Sequence, residues 1–236
     1  MQTSCEWSSL LSFSDGNGYP MTLQIGMIGS DGFAIVGDTW KHIPAQNRSW
    51  FGYSGPKMML SASGKSLGAI ARTVEVSSEA VKEIFVQLEG RSGDKVDQIT
   101  EIGSRIVGDY DAEFFVAFTD PTPEMYFFLK EKNGRARCEL MYSCYPIGDA
   151  GNPAYYWVMR SCDTRLTVSQ LVRVGALTVI TGAKINPAMI RDLDIATFDK
   201  KGLRIWEREE SAALKAEIED FDKKIGEALL HRENAL

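Results

Sequence analysis

The run from Met21 to Asp38 constrains this chain most. Two short apolar stretches meet at Ser30-Asp31-Gly32, a threonine opens the first, and Gly37-Asp38 closes the second. Apolar residues on either side of a Gly-containing turn predict a β-hairpin. Antiparallel strands of similar length bring their outer ends together, so Thr22 and Asp38 are expected to be neighbours. A threonine beside a carboxylate does little unless something removes its hydroxyl proton. Cleavage of the Met21–Thr22 bond would supply that base, because a free α-amine titrates at about 7.7–8.0 and can serve its own side chain.

Several function classes fall away on composition. Lys and Arg number 26 against 32 Asp and Glu, a net charge of −6 with no basic run, which argues against nucleic acid as the partner. The longest apolar runs, such as Glu113 to Thr119, are too short to span a bilayer, so no membrane partner is expected. Cys5, Cys138, Cys144 and Cys162 are irregularly spaced without a C-x-x-C pair, which predicts reduced thiols in a cytoplasmic protein. His42 and His231 cannot complete a zinc site with them, and neither metal nor cofactor is expected. His42 follows Asp38 closely, but no nucleophile elbow accompanies it, which makes it a loop histidine.

Periodicity orders the rest of the chain. Thr39 to Asn47 reads as a loop, and Ser49 to Tyr53 and Lys57 to Ser63 as strands. From Lys65 the spacing of Leu67, Ile70, Ala71 and Val74 reads as helical, continued by Val81, Ile84, Phe85 and Leu88 to Gly90. A second helix spans Asp94 to Val107. Strands return at Glu113 to Phe118, Met125 to Lys130 and Arg137 to Tyr142, the last two joined across Asn133-Gly134. Helices at Pro153 to Ser161 and Leu166 to Ile180 precede a hairpin of Asp194 to Phe198 and Leu203 to Trp206. This order suits an α+β fold, a four-layer αββα sandwich of two antiparallel sheets between helical layers. The boundaries read as a segment 1–21, a domain 22–206, and a charged helix in 207–236 with Leu214, Ile218, Phe221, Ile225 and Leu229 on one face.

Residues 1–21 are rich in Ser and Gly and lack the basic and apolar regions of a signal peptide. Three readings stand: a propeptide cut before Thr22, an extra segment of a non-catalytic subunit, or a start assigned too early with Met21 as the initiator.

Thr22-x-x-x-Gly26 with Asp31-Gly32 and Gly37-Asp38 resembles the start of a proteasome β-type subunit, within the N-terminal-nucleophile hydrolases. Lys57 to Gly64, Tyr145-Pro146-Ile147-Gly148-Asp149-Ala150-Gly151, and Leu166-Thr167-Val168 are similar to later motifs in the same order. The resemblance implies that Thr22 attacks a peptide carbonyl to give an acyl-enzyme. It implies that Asp38 orients a catalytic lysine and that the Gly64 N–H forms the oxyanion hole. Asp163 lies near the family's second aspartate, and Asp149 takes the place of a serine beside the terminal amine. It implies the same αββα sandwich, a peptide or unfolded-protein substrate, and a homo-oligomeric ring.

The catalytic lysine is the departure. Counting back from Lys57 puts it near Trp50, in a strand with no lysine; Arg48 and Lys41 are the nearest cations. Arg48 could pair with Asp38 but would stay charged at any accessible pH. Two functions therefore stand: a threonine-type peptidase, with transpeptidation as a variant, and a catalytically silent structural subunit for ring assembly. Ser63-Gly64-Lys65-Ser66 also suggests the end of a phosphate-binding loop, but Met59 stands where that motif needs a glycine.

Overall fold

The structure is a computed structural model that describes residues 22–44, 50–132, 134–149, 152–187 and 190–231. Two five-stranded antiparallel sheets pack face to face between two helical layers, the αββα sandwich expected from the sequence. The first sheet has the order β10-β1-β2-β11-β12, from Cys144–Gly148, Leu23–Gly29, Gly32–Gly37, Asp194–Asp199 and Gly202–Ile205. The second has the order β5-β6-β7-β8-β9, from Met58–Leu60, Ser66–Arg72, Ala112–Phe118, Glu124–Lys130 and Arg137–Leu140. A separate ribbon pairs β3 (Trp40–Pro44) with β4 (Trp50–Ser54), where the sequence reading placed a loop before a single strand.

Strand alternation produces the layers. In β7 and β8, Phe114, Val116, Tyr126 and Phe128 face the helices α1 (Val74–Leu88) and α2 (Val96–Val107). Phe115, Ala117, Met125 and Phe127 face the other sheet, where they meet Phe33, Ile35 and Ile147. On the first sheet, Leu23, Ile25, Met27, Ala34 and Val36 pack outward on α4 (Val168–Ile185). Each of the Val, Leu, Ile, Met and Phe side chains among them, once fully buried, contributes about 1.5–3 kcal/mol. Thr167 starts α4 with a capping box, its hydroxyl accepting from Gln170 N–H while the Gln170 side chain accepts from Thr167 N–H. By length and composition α4 is apolar enough to cross a membrane, with a mean hydropathy of 1.2, longer than the runs weighed in the sequence. Half of it is buried inside the protein, as suits a core helix. The short α3 (Tyr156–Ser161) and α5 (Arg208–His231) complete that layer. Leu214 and Ile218 of α5 join the core beneath α4, whereas Phe221 is exposed.

The largest error in the sequence reading lies at 65–73. Ser66 to Arg72 is not the start of a helix but the strand β6, and α1 begins only at Val74. Leu67, Ala69 and Ala71 face the inter-sheet core, and Ile70 faces the helices. Gly68 lies under Val81 of α1, so close that a Cβ there would stand 2.3 Å from a Val81 methyl. A strand apolar on both faces has no alternation to betray it, and its spacing then mimics a helix.

Candidate active site

Thr22 and Asp38 do meet. The hairpin closes with reciprocal bonds: Asp38 N–H donates to Leu23 O at 3.0 Å, and Leu23 N–H donates to Asp38 Oδ1 at 2.9 Å. Both residues are buried, Thr22 at 5% exposure and Asp38 at none. Into this corner comes Lys57, also buried, from the residue ahead of β5. Its Nζ donates to Thr22 Oγ1 at 2.8 Å and stands 2.9 Å from both Asp38 oxygens.

The backbone of Lys57 is stapled between the sheets. Its N–H donates to Asp194 Oδ2 of the first sheet at 3.1 Å, and its carbonyl accepts from Ile70 N–H of the second at 3.0 Å. An ammonium held in this way presents a hydrogen-bond donor to the threonine oxygen. It stabilises the negative charge that develops there on deprotonation, and does so away from water.

Behind Thr22 stands the end of β10. Asp149 N–H donates to Thr22 O at 2.7 Å. Gly148 takes φ +89, and a Cβ on it would lie 1.9 Å from Thr22 O, so no side chain fits there. The buried Glu113 of β7 accepts from Gly148 N–H at 2.8 Å and pairs with Arg72 Nε at 3.1 Å through the same oxygen. Burial pushes the Glu113 carboxyl up to about 7, against the opposing pull of Arg72 and the Gly148 amide.

The remaining sequence-derived candidates fall in different places. Asp149 lies beside Thr22, but its side chain accepts from Asn152 Nδ2 at 2.9 Å. Gly64, expected to form the oxyanion hole, sits in the β5–β6 turn at φ +73. Lys57 precedes β5, so Gly64 lies beyond the far end of that hairpin, on the order of 10 Å of strand away. The error follows from β6: with a helix assigned at Lys65, Ser63-Gly64 looked like the strand–helix junction, which is in fact Arg72-Thr73-Val74.

Asp163 is likewise remote. Leu166, in the same loop, accepts from Ser30 N–H at the turn end of the β1–β2 hairpin, opposite Thr22. Asp163 is half-buried there, and the Arg165 guanidinium and backbone N–H hold its carboxyl down at about 2. Arg48, the candidate cation, lies outside the described residues. Among the described residues, the cation bonded to Asp38 is Lys57. The lysine that counting back from Lys57 seeks near Trp50 is Lys57 itself. Asp194 and Glu113 were missed, and nothing local to either residue marks it out.

The phosphate-loop reading also fails on geometry. Ser66 opens a strand, not a helix, and the hydroxyls of Ser63 and Ser66 both donate to Glu89, whose carboxylate fills the turn. Among the described residues, no three His, Cys, Asp or Glu side chains are grouped to hold a metal ion.

No known sequence family and no curated protein matches the chain. Solved structures do. The chain resembles the helical assembly of the Anbu complex from Pseudomonas aeruginosa, with a TM-score of 0.67 and 13% identity over 89% of this chain and 96% of that one. It resembles Anbu, described as an ancestral beta-subunit, from Yersinia bercovieri, with a TM-score of 0.63 and 12% identity over 91% and 98%. A Gly-1 mutant of Anbu from Hyphomicrobium sp. strain MC1 gives 0.62 and 11% over 87% and 97%. These neighbours correct the resemblance read from the sequence: Anbu is related to the proteasome β-type subunits but is a different group. Thr22, Asp38 and Lys57 are thus built into the proteasome-like fold of the Anbu subunits.

Proposed function

We propose that this chain is an Anbu-like hydrolase that cleaves peptide bonds with Thr22 as an N-terminal nucleophile. The observation that carries the reading is the contact of Lys57 Nζ with Thr22 Oγ1 at 2.8 Å, made by an ammonium that Asp38 also binds. In the active form the Met21–Thr22 bond is cut. The hydroxyl then attacks the substrate carbonyl and its proton passes to the Thr22 α-amine. The amine returns that proton to the leaving amine as the C–N bond breaks, and water hydrolyses the resulting ester.

Backbone N–H groups at the start of α1, at Thr73 and Val74, take the oxyanion role first assigned to Gly64. They follow closely on Ile70, which is bonded to Lys57, and the helix N-terminus favours negative charge. The substrate is a peptide or an unfolded protein, the setting is a reducing cytoplasm, and the chain works as a homo-oligomer. The helical assembly of the Pseudomonas aeruginosa Anbu complex supports the last point.

The test is intact-mass spectrometry before and after treatment with a peptidyl β-lactone. The threonine oxygen opens the lactone, so the adduct carries the full mass of the reagent. A chain that begins at Thr22 and is esterified there supports the reading. A chain that begins at Thr22 and takes no label leaves the silent structural subunit as the function.

A further inference from the structure

One backbone segment is tied to a second that packs on Thr22. Asp149 and Gly148, at the end of β10, lie against its carbonyl, and Arg72-Thr73 leads from β6 into α1. A single buried oxygen, Glu113 Oε2, joins them: it accepts from Gly148 N–H at 2.8 Å and from Arg72 Nε at 3.1 Å. Arg72 Nη2 also lies 3.4 Å from Gly148 O, closing a small ring of contacts. β6 reaches this point through a register irregularity between Ile70 and Arg72, opposite Glu113. Thr73 then takes the left-handed conformation, φ 41 and ψ 67, and its side chain makes no cap bond to α1. Ser77 of α1 holds this segment to the helix, its N–H donating to Thr73 O at 3.0 Å and its hydroxyl to Arg72 O at 2.6 Å, and the Arg72 guanidinium ties the segment to β10 through Glu113.

We propose that Glu113 is a positioning residue for the Thr22 site, whose carboxylate sets the spacing between the β10 end that contacts Thr22 and the segment entering α1. The proposal rests on the reading of Thr22 as a nucleophile. An ionised carboxylate binds both partners with charge-assisted bonds, and a protonated one keeps only weaker neutral contacts. The other groups around Glu113 do not replace this control. Tyr145 and Tyr155 keep their phenolic protons, held up by burial, while the negative charges of Asp111 and Glu131 oppose its ionisation. With Glu113 titrating at about 7, the tie tightens as pH rises through neutrality.

The experiment uses the full chain, a peptidyl β-lactone as probe, and the variants Glu113→Gln and Glu113→Asp. Acylation of Thr22 is followed by intact mass from about pH 5.5 to 8.5, the range in which a carboxyl at about 7 titrates. The wild type should show two rate limbs, one near pH 7 from Glu113 and one at about 7.7–8.0 from the Thr22 α-amine. Glu113→Gln should be roughly tenfold slower at about pH 8 and keep only the limb of the α-amine, as expected for losing a hydrogen bond to a charged group. Glu113→Asp should restore the second, carboxylate limb with a displaced midpoint, which a purely space-filling role would not.

Hydrogen–deuterium exchange of the peptide covering 144–149 gives a readout independent of activity. After correction for intrinsic pH dependence, the wild type should gain protection across pH 7, and Glu113→Gln should not. If Glu113→Gln fails to fold, the wild-type exchange response still decides. Labelled wild type with an unresponsive 144–149 segment overturns the proposal alone. Unlabelled wild type with the response intact overturns the nucleophile reading and leaves the tie standing.

Discussion

Lys57 Nζ lies 2.8 Å from Thr22 Oγ1, although the two residues belong to different layers of the sandwich. The same ammonium neutralises Asp38, which is fully buried. Lys57→Met should therefore do two separate things. It should abolish β-lactone labelling, and it should destabilise the fold by about 3–5 kcal/mol by leaving a buried carboxylate alone. Adding Asp38→Asn should recover much of the stability and none of the labelling, read by denaturant unfolding and intact mass. Arg48→Ala should leave labelling unchanged; loss of labelling would return that residue to the site.

Thr22→Ala should eliminate acylation and peptide hydrolysis, since one residue supplies both nucleophile and base. Thr22→Ser should keep part of the activity because hydroxyl and amine both remain. Peptide hydrolysis undiminished in Thr22→Ala would refute the proposed mechanism.

Gly148→Ala should be damaging out of proportion to its size. Its Cβ would collide with Thr22 O at 1.9 Å, and φ +89 disfavours any L side chain. A drop in melting temperature together with lost labelling is expected. By contrast, Gly64→Ala faces open space, so only its φ of +73 is strained, and labelling should survive it.

Stability should fall as pH rises from about 4.5 to about 7, because in that window folded Glu113 keeps a proton that the unfolded chain has lost. The difference corresponds to about 3 kcal/mol. Glu113→Gln carries no such titration, so its stability relative to wild type should rise over the same window and level off above it. Urea unfolding at several pH values measures this directly.

Cys144 should be the first of the described cysteines to react with iodoacetamide near neutral pH. A hydrogen bond from the Cys162 thiol brings its pKa down to about 7, whereas burial pushes Cys138 up to about 12. Cys162→Ala should slow the labelling of Cys144, read by peptide mapping.

What was legible in the sequence was local. The Thr22–Asp38 pairing followed from a hairpin whose register its own apolar pattern sets, and the helix expected over Leu166 to Ile180 is α4. The β6 strand was illegible because both of its faces are covered, and that one misreading displaced the candidate oxyanion donor to Gly64 and hid Lys57. Asp194 and Glu113 act across tertiary contacts, on Lys57 and Gly148, that no local periodicity encodes. The strand β10 carries its Gly148-Asp149 motif in sequence, but its place at the edge of the first sheet is set by its pairing with β1, far away in the chain.

The staple at Lys57 gives the fold a safeguard. Thr22 and Asp38 come from one sheet, and the lysine enters from the edge of the other, held by one backbone bond to each. Until the sheets dock, the threonine hydroxyl is an ordinary alcohol in water, with no cation beside it. A nascent or half-folded chain therefore has no armed nucleophile to turn on itself or its neighbours. On the proposed reading, the cation reaches Thr22 only with the completed core, so assembly of the sandwich comes before any chemistry there, cleavage of the Met21–Thr22 bond included.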